Sequence, residues 1–149
     1  MSELHYEDLS VGDTFDLGSV TVTESEIVEF AERYDPQPFH VDPEAAQGSM
    51  FGGLIASGWH TVSLVNRQFV LEYQSDTANL GGRGVDELRW RRPVRPGDTL
   101  SATVEVLDLT PHPDDDDRGD VEYGITAENG DGDVVLTLRI RLLIARRGG

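Results

Sequence analysis

FGGLIASGWHTVSLVNRQFVLEY, residues 51–73, is the stretch that decides the fold. Glycines at positions 52, 53 and 58 lead into an apolar segment in which Val62, Val65 and Phe69 recur at helical spacing. This pattern predicts one long helix over residues 57–73, largely buried. A long buried helix needs other elements packed around it, so we expect the flanking sequence to form strands or helices that pack on it.

The chain after this helix has the pattern of antiparallel strands. Leu100, Ala102, Val104 and Val106 alternate with polar residues and share one face of a strand. The sequences RPGD at 95–98 and NGDGD at 129–133 are turn signals between neighbouring strands. We therefore predict strands over residues 85–94, 99–109, 121–128 and 134–145, with loops over residues 74–84 and 110–120.

The chain before the long helix predicts a strand around residues 14–22 and a helix over residues 23–34. Thr23 and Glu26 have the spacing of a capping box at the start of this helix. Its predicted apolar face consists of Ile27, Phe30, Ala31 and Tyr34.

A short helical turn is expected after residue 42, with Asp42 as its cap and Pro43 at its first position. The sum of these elements is an α+β fold in which a curved antiparallel sheet wraps one long helix. No repeat or linker is visible, so we expect a single domain over residues 1–149.

Composition excludes several classes of partner. The 149 residues carry 28 acidic and 12 basic side chains, a net charge of −16, and every basic residue is arginine. Nucleic acid is not an expected partner, because phosphate binding needs a basic surface. A dispersed acidic surface without lysine is typical of proteins that work in concentrated salt, where self-repulsion is screened.

Localisation and metal binding are also constrained. The chain has no cysteine, hence no disulfide framework, and its four histidines are dispersed, so no metal site is expected. No apolar run reaches the length of a membrane span, and the acidic N-terminus lacks the pattern of a signal peptide. We therefore expect a cytoplasmic protein with no membrane partner.

The stretch DPQPFH, residues 35–40, holds the candidate chemistry. Asp35 and His40 stand five positions apart, with Pro36 and Pro38 between them. The residue before a proline avoids helical geometry, so the predicted helix ends near Asp35 and the segment to His40 is expected to be rigid and non-helical. A carboxylate and an imidazole held in this way could share one water molecule.

Several stretches of the chain resemble one protein family. DPQPFHVDPEAA resembles the Asp-x-Asn-Pro-x-His motif of the MaoC-like dehydratases and (R)-specific enoyl-CoA hydratases, which have the hot-dog fold. YEDLSVGDTF, FGGLIASGWHT and RPVRPGDTL resemble further parts of that family, so the likeness covers nearly the whole chain. Gln37 departs from the motif, which usually has Asn there, and this puts the substrate preference in question.

The resemblance implies an acyl-CoA hydratase or dehydratase that acts without a metal or redox cofactor, as a homodimer or higher homo-oligomer. Asp35 and His40 would be the catalytic pair. The backbone N–H of Gly58, at the start of the long helix, would stabilise negative charge on the thioester oxygen, and the missing side chain would let the thioester approach. Ser63 and Asn66 are both candidates for a polar group that orients the substrate.

Arginines cluster around one predicted strand, at positions 83, 89, 91, 92 and 95. If the strand continued through this stretch, Arg89 and Arg91 would share one face, and Trp90 and Arg92 the other. One of these sets could contact the phosphates of coenzyme A, which an acidic surface would otherwise repel. The alternative is that these arginines form a solvated strand face.

Two other functions stay open at this level. A hot-dog acyl-CoA thioesterase would share the fold, although it would lack the element that carries Asp35 and His40. A non-catalytic acyl-CoA-binding module would not need that pair. His60 is expected to line the core or a substrate tunnel, and Asp42 to cap a helix rather than to react.

Overall fold

The computed structural model of the protein describes residues 3–147. Five strands and four α-helices follow one another along the chain. In chain order these are β1 (Thr14–Thr21), α1 (Glu24–Tyr34), α2 (Pro38–Val41), α3 (Pro43–Gln47), α4 (Gly58–Glu72), β2 (Asn79–Trp90), β3 (Thr99–Pro111), β4 (Arg118–Glu128) and β5 (Val134–Ala145). The predicted α+β architecture is therefore confirmed.

The strands form one five-stranded sheet in the order β1-β3-β4-β5-β2, and all neighbouring strands are antiparallel. Helix α4 packs on the sheet, with contacts to β1 and β3. Leu100, Ala102, Val104 and Val106 are all buried, so the face predicted for β3 is confirmed. At the far end of α4, the hydroxyl groups of Tyr73 and Tyr123 are 3.0 Å apart and join helix and sheet.

The long helix begins and ends where the sequence predicts, but it is less buried than expected. Its buried side chains are His60, Thr61, Val65 and Phe69. Trp59 on the same helix is 55% exposed and Leu71 is 51% exposed, so α4 buries one face only.

The prediction of a loop over residues 74–84 is wrong from residue 79 on, because β2 begins at Asn79. Glycines had suggested a loop there, yet the strand accommodates them at irregularities in its pairing with β5, between Asn79 and Gly81 and between Gly82 and Gly84. Gly81 has φ of +140°, a backbone conformation that side chains disfavour. Strand β3 likewise extends to Pro111, two residues into the predicted loop after residue 109.

Helix α1 begins with the predicted cap, in which the Thr23 side chain accepts from the N–H of Glu26. Its predicted apolar face is shorter than expected. Ile27 and Ala31 are fully buried, whereas Tyr34 is 67% exposed. Phe30 is half-buried and stacks on His60, with ring centroids 4.9 Å apart.

The segment that holds His40 is helical, contrary to the prediction of non-helical backbone. Pro38 starts the single turn α2, with Gln37 as its N-cap in extended conformation. A proline fits the first position of a helix because its missing N–H would have no partner there. Pro38 therefore starts a turn of helix, while α1 ends before Pro36. Asp42 caps α3 through the N–H groups of Glu44 and Ala45, as predicted.

None of the described helices is long and apolar enough to span a membrane.

Candidate active site

Asp35 and His40 face each other between the end of α1 and the turn α2. Asp35 is the C-cap of α1, and His40 is buried on α2 with 4% of its surface exposed. The Oδ2 atom of Asp35 is 3.4 Å from Nε2 of His40. The short connection through two prolines thus brings the pair together, as the spacing predicts.

A backbone carbonyl fixes the orientation of the His40 ring. Nδ1 of His40 is 2.7 Å from the carbonyl oxygen of Ile55. A carbonyl only accepts hydrogen bonds, so the proton of the neutral ring sits on Nδ1 and Nε2 keeps its lone pair. Nε2 therefore faces Asp35 and the adjoining cavity as a proton acceptor.

Two donors hold the carboxylate of Asp35. The Gln37 amide donates to Oδ1 at 2.6 Å, and the Ser57 hydroxyl donates to Oδ2 at 2.7 Å. Partial burial disfavours the charged form, but the hydrogen bonds from Gln37 and Ser57 favour it and hold the pKa of Asp35 below its usual range, and His40 lowers it further whenever its ring is protonated. Asp35 is consequently an anion at neutral pH.

The pair opens into a cavity of about 420 Å³ with mainly apolar walls. Its lining comes from α2, the segment before α4, the start of α4 and the residues after β2. The apolar lining residues are Phe39, Phe51, Ile55, Ala56, Trp59, Trp90, Pro93 and Val94. The cavity thus joins apolar walls to a carboxylate and an imidazole on one side and to Arg91 and Arg92 on the other lining segment, as in a site that binds an apolar group and reacts with it at a single point.

Gly58 is the first residue of α4 and lines the same cavity. In the first turn, the N–H groups of Trp59 and His60 bond to Ser57. The N–H of Gly58 has no partner within residues 3–147 and remains available at the positive end of the helix.

The structure gives a packing reason for the glycine at position 58. A Cβ atom built there would lie 2.3 Å from Cε2 of Trp90. The indole of Trp90 therefore packs where a side chain at position 58 would lie, which is a second reason for a glycine there beside the expected approach of a thioester.

The arginines keep the predicted alternation, except that Arg91 borders both sides. Trp90, Arg91 and Arg92 all line the cavity, whereas Arg89 lines a separate groove that Arg91 also borders. Arg91 follows Trp90, the last residue of β2, and its guanidinium donates to the Thr137 hydroxyl at 3.1 Å on the side of the groove.

The outer arginines of the cluster have other contacts. Arg83 forms an ion pair with Asp120 at 2.7 Å. Arg95 donates to the carbonyl of Phe51 at 2.7 Å and closes the predicted turn with Asp98.

Ser63 and Asn66 lie outside this cavity. Both are exposed on α4, and the hydroxyl of Ser63 donates to the carbonyl of Trp59 at 2.8 Å. His60 lies in the core, as one of the two expected positions, and burial lowers its pKa. Its Nδ1 atom is buried and has no hydrogen-bond partner among residues 3–147.

Sequence reasoning missed Ser57 and the two tryptophans of the site. Ser57 marks the predicted start of the long helix, and a serine in that position signals a cap rather than contact with Asp35.

No group of three or more potential metal ligands is found among the described residues.

Comparisons with known proteins agree with this architecture. The family model described as MaoC like domain matches residues 8–129. A protein named uncharacterized protein YdeM, from Bacillus subtilis, is 33% identical over 105 residues, which cover 70% of this chain and 74% of that protein. An (R)-specific enoyl-CoA hydratase from Rhodospirillum rubrum is 34% identical over 114 residues, with 72% and 74% covered.

Solved structures show the same fold. A MaoC-like dehydratase from Rhodospirillum rubrum is 40% identical, with a TM-score of 0.89 over 98% of this chain and 99% of that one. A protein from Mycobacterium tuberculosis described as a double hot-dog fold is 21% identical, with a TM-score of 0.80 over 98% of this chain and 45% of that one. The expected hot-dog fold is thereby confirmed.

Proposed function

The chain belongs to the MaoC-like dehydratase family, and on that premise we propose that it adds water reversibly to a trans-2-enoyl-CoA to give an (R)-3-hydroxyacyl-CoA. The observation that carries the proposal is the placement of Asp35 and His40, whose Oδ2 and Nε2 atoms are 3.4 Å apart at the wall of an apolar cavity. The enoyl-CoA hydratase among its relatives supports the same class of reaction.

Both groups of the pair face the cavity as proton acceptors. A water molecule between them can donate one hydrogen to Asp35 and the other to Nε2 of His40. As the water oxygen bonds to C3 of the enoyl group, one of its protons passes to the pair and electrons move to the thioester oxygen. The pair then returns a proton to C2, which completes the addition of one water and leaves both residues unchanged.

The N–H of Gly58 supplies the charge stabilisation that this step requires. Negative charge develops on the thioester oxygen, and a fixed donor aimed at it lowers the barrier. Gly58 provides such a donor beside Asp35, at the N-terminus of the 15-residue helix α4. An acyl chain that fills the apolar cavity would exclude water from this interaction and so strengthen it.

The coenzyme A part of the substrate would extend from the cavity past the arginines that line it. Arg91 and Arg92 are the cationic side chains at this cavity.

A second copy of the chain would complete the protein as a homodimer. The family resemblance supports this, and the edge strand β2 carries the exposed apolar side chains of Leu80, Val85 and Trp90. Sedimentation in molar salt tests the dimer.

The experiment that tests the function is a hydration assay in high salt on a panel of trans-2-enoyl-CoA thioesters. We expect Asp35→Asn and His40→Ala to lower turnover by about two to four orders of magnitude, the range for general acid–base groups. Asp42→Asn is the matched control, because it makes the same chemical change in an N-cap that asparagine can replace.

Two results would contradict the proposal. One is near-normal hydration by folded Asp35→Asn and His40→Ala. The other is release of free coenzyme A thiol without hydration, which would indicate a thioesterase.

A further inference from the structure

We infer that Ser57 is a positioning residue that joins the two halves of the site, because its hydroxyl group holds the carboxylate of Asp35 in register with the N-terminus of α4. Ser57 is fully buried and lies 22 residues after Asp35 in the chain. Neither the family motif nor the proposed reaction assigns it a part. The inference extends the proposed function and depends on it only for its kinetic test.

The hydrogen bonds of Ser57 have a fixed direction. Its Oγ accepts from the N–H of Trp59 at 3.2 Å, and its own proton is directed to Oδ2 of Asp35 at 2.7 Å. Because a carboxylate can only accept, the chain of donors runs from the helix to Asp35. The positive end of α4 thus acts on Asp35 through one hydroxyl group.

The same residue also sets the position of the proposed oxyanion donor. Gly58 follows Ser57 directly, and its N–H is fixed by the helix that Ser57 caps. One side chain therefore ties Asp35, at the end of α1, to Gly58, at the start of α4. A shift of Ser57 would change the distance between the group that accepts a proton and the group that stabilises charge.

Oδ2 is the atom at which this contact matters. Ser57 and His40 both face Oδ2, whereas the exposed Gln37 holds Oδ1. Ser57 thereby orients the plane of the carboxylate toward the imidazole and supports its charge. The other charged groups that line the cavity are Arg91 and Arg92, on the opposite segment after β2.

The test compares Ser57→Ala and Ser57→Thr with the wild-type protein. We expect Ser57→Ala to lower kcat about tenfold to a hundredfold, the range for loss of a hydrogen bond to a charged group, with little change in KM. Ser57→Thr keeps the hydroxyl group and should restore most of the activity. Thr23→Ala, which removes the corresponding N-cap hydroxyl of α1, controls for loss of a helix cap.

The pH profile separates positioning from simple structural support. Without the Ser57 hydrogen bond the pKa of Asp35 should rise, so the acid limb of the kcat profile should move to higher pH in Ser57→Ala. Thr23→Ala should leave the limb in place. A carbon-13 NMR titration of the Asp35 carboxyl gives the same comparison without any substrate.

The NMR arm keeps this inference separate from the proposed function. If no enoyl-CoA is hydrated by the wild type, the function fails while the Asp35 titration still decides the role of Ser57. The inference is overturned if the Asp35 titration is the same in Ser57→Ala and wild type, or if Ser57→Thr is as impaired as Ser57→Ala.

Discussion

At the residue scale, Gly58 and Trp90 form a contact that no other residue type at position 58 allows. We expect Gly58→Ala to destabilise the protein by about 1 to 3 kcal/mol, the usual cost of overpacking, since its Cβ would lie 2.3 Å from the indole. Urea unfolding of Gly58→Ala, Trp90→Ala and the double variant measures the coupling. In the double variant, most of the Gly58→Ala penalty should vanish, because the obstructing ring is gone. Strictly additive free energies would contradict the contact.

The sequence predicts the reacting residues of the site better than their support. Asp35 and His40 are five positions apart, so two prolines and one helical turn are enough to bring them together, and local sequence contains that information. Ser57 reaches Asp35 across 22 residues. That contact depends on how α1 and α4 pack, which no local pattern in the chain encodes.

At the element scale, the end of β2 determines which arginines can meet a ligand. Arg91 and Arg92 follow Trp90, the last residue of β2, and line the cavity. Arg89 precedes Trp90 and lines the neighbouring groove instead. A period of two predicts side-chain direction only inside a regular strand. The sequence therefore predicts the pairs Arg89 with Arg91 and Trp90 with Arg92, and the position of Arg91 just past the end of β2, where it also borders the cavity, is what the pattern does not predict.

We expect Arg91→Gln and Arg92→Gln each to raise KM for an enoyl-CoA about twofold to fivefold, as for solvent-exposed ion pairs, with kcat unchanged. Arg89→Gln should have a smaller effect. The measurement compares full-length substrates with pantetheine thioesters, which lack the nucleotide phosphates and should not respond. Arg67→Gln, on the exposed side of α4, is the control. An equal response of both substrate types would mean that the arginines form a solvated or dimer-contact face.

The elements themselves were predictable wherever one periodicity was unbroken. Helix α4 and strand β3 keep a single apolar pattern over their whole length, and both were located within about two residues of their observed ends. The first six residues of β2 were missed because their glycines are typical of loops, while the sheet absorbs them as bulges. The turn α2 was missed because proline signals the start of a helix as well as its end.

At the scale of the whole molecule, net charge should govern stability. A charge of −16 on 149 residues opposes compaction in dilute buffer, and salt screens that repulsion. We expect Tm to rise by about 10 °C between low salt and molar KCl, which corresponds to about 2.5 to 5 kcal/mol at the roughly 2 to 4 °C per kcal/mol typical of a domain of this size. Sorbitol at equal osmolality should give a smaller rise, because it does not screen charge. A Tm that stays flat or falls with KCl would exclude adaptation to concentrated salt.

The tryptophans of the site offer a spectroscopic signal that requires no label. The chain has two tryptophans, Trp59 and Trp90, and both line the cavity. Their rings meet edge to face with centroids 5.2 Å apart, and both are about half exposed. A ligand that enters the cavity displaces water from the indoles and so changes their fluorescence. Because both tryptophans line the cavity, tryptophan emission reports on this site alone. Intrinsic fluorescence therefore reads occupancy of this cavity directly, even for thioesters that bind without being converted.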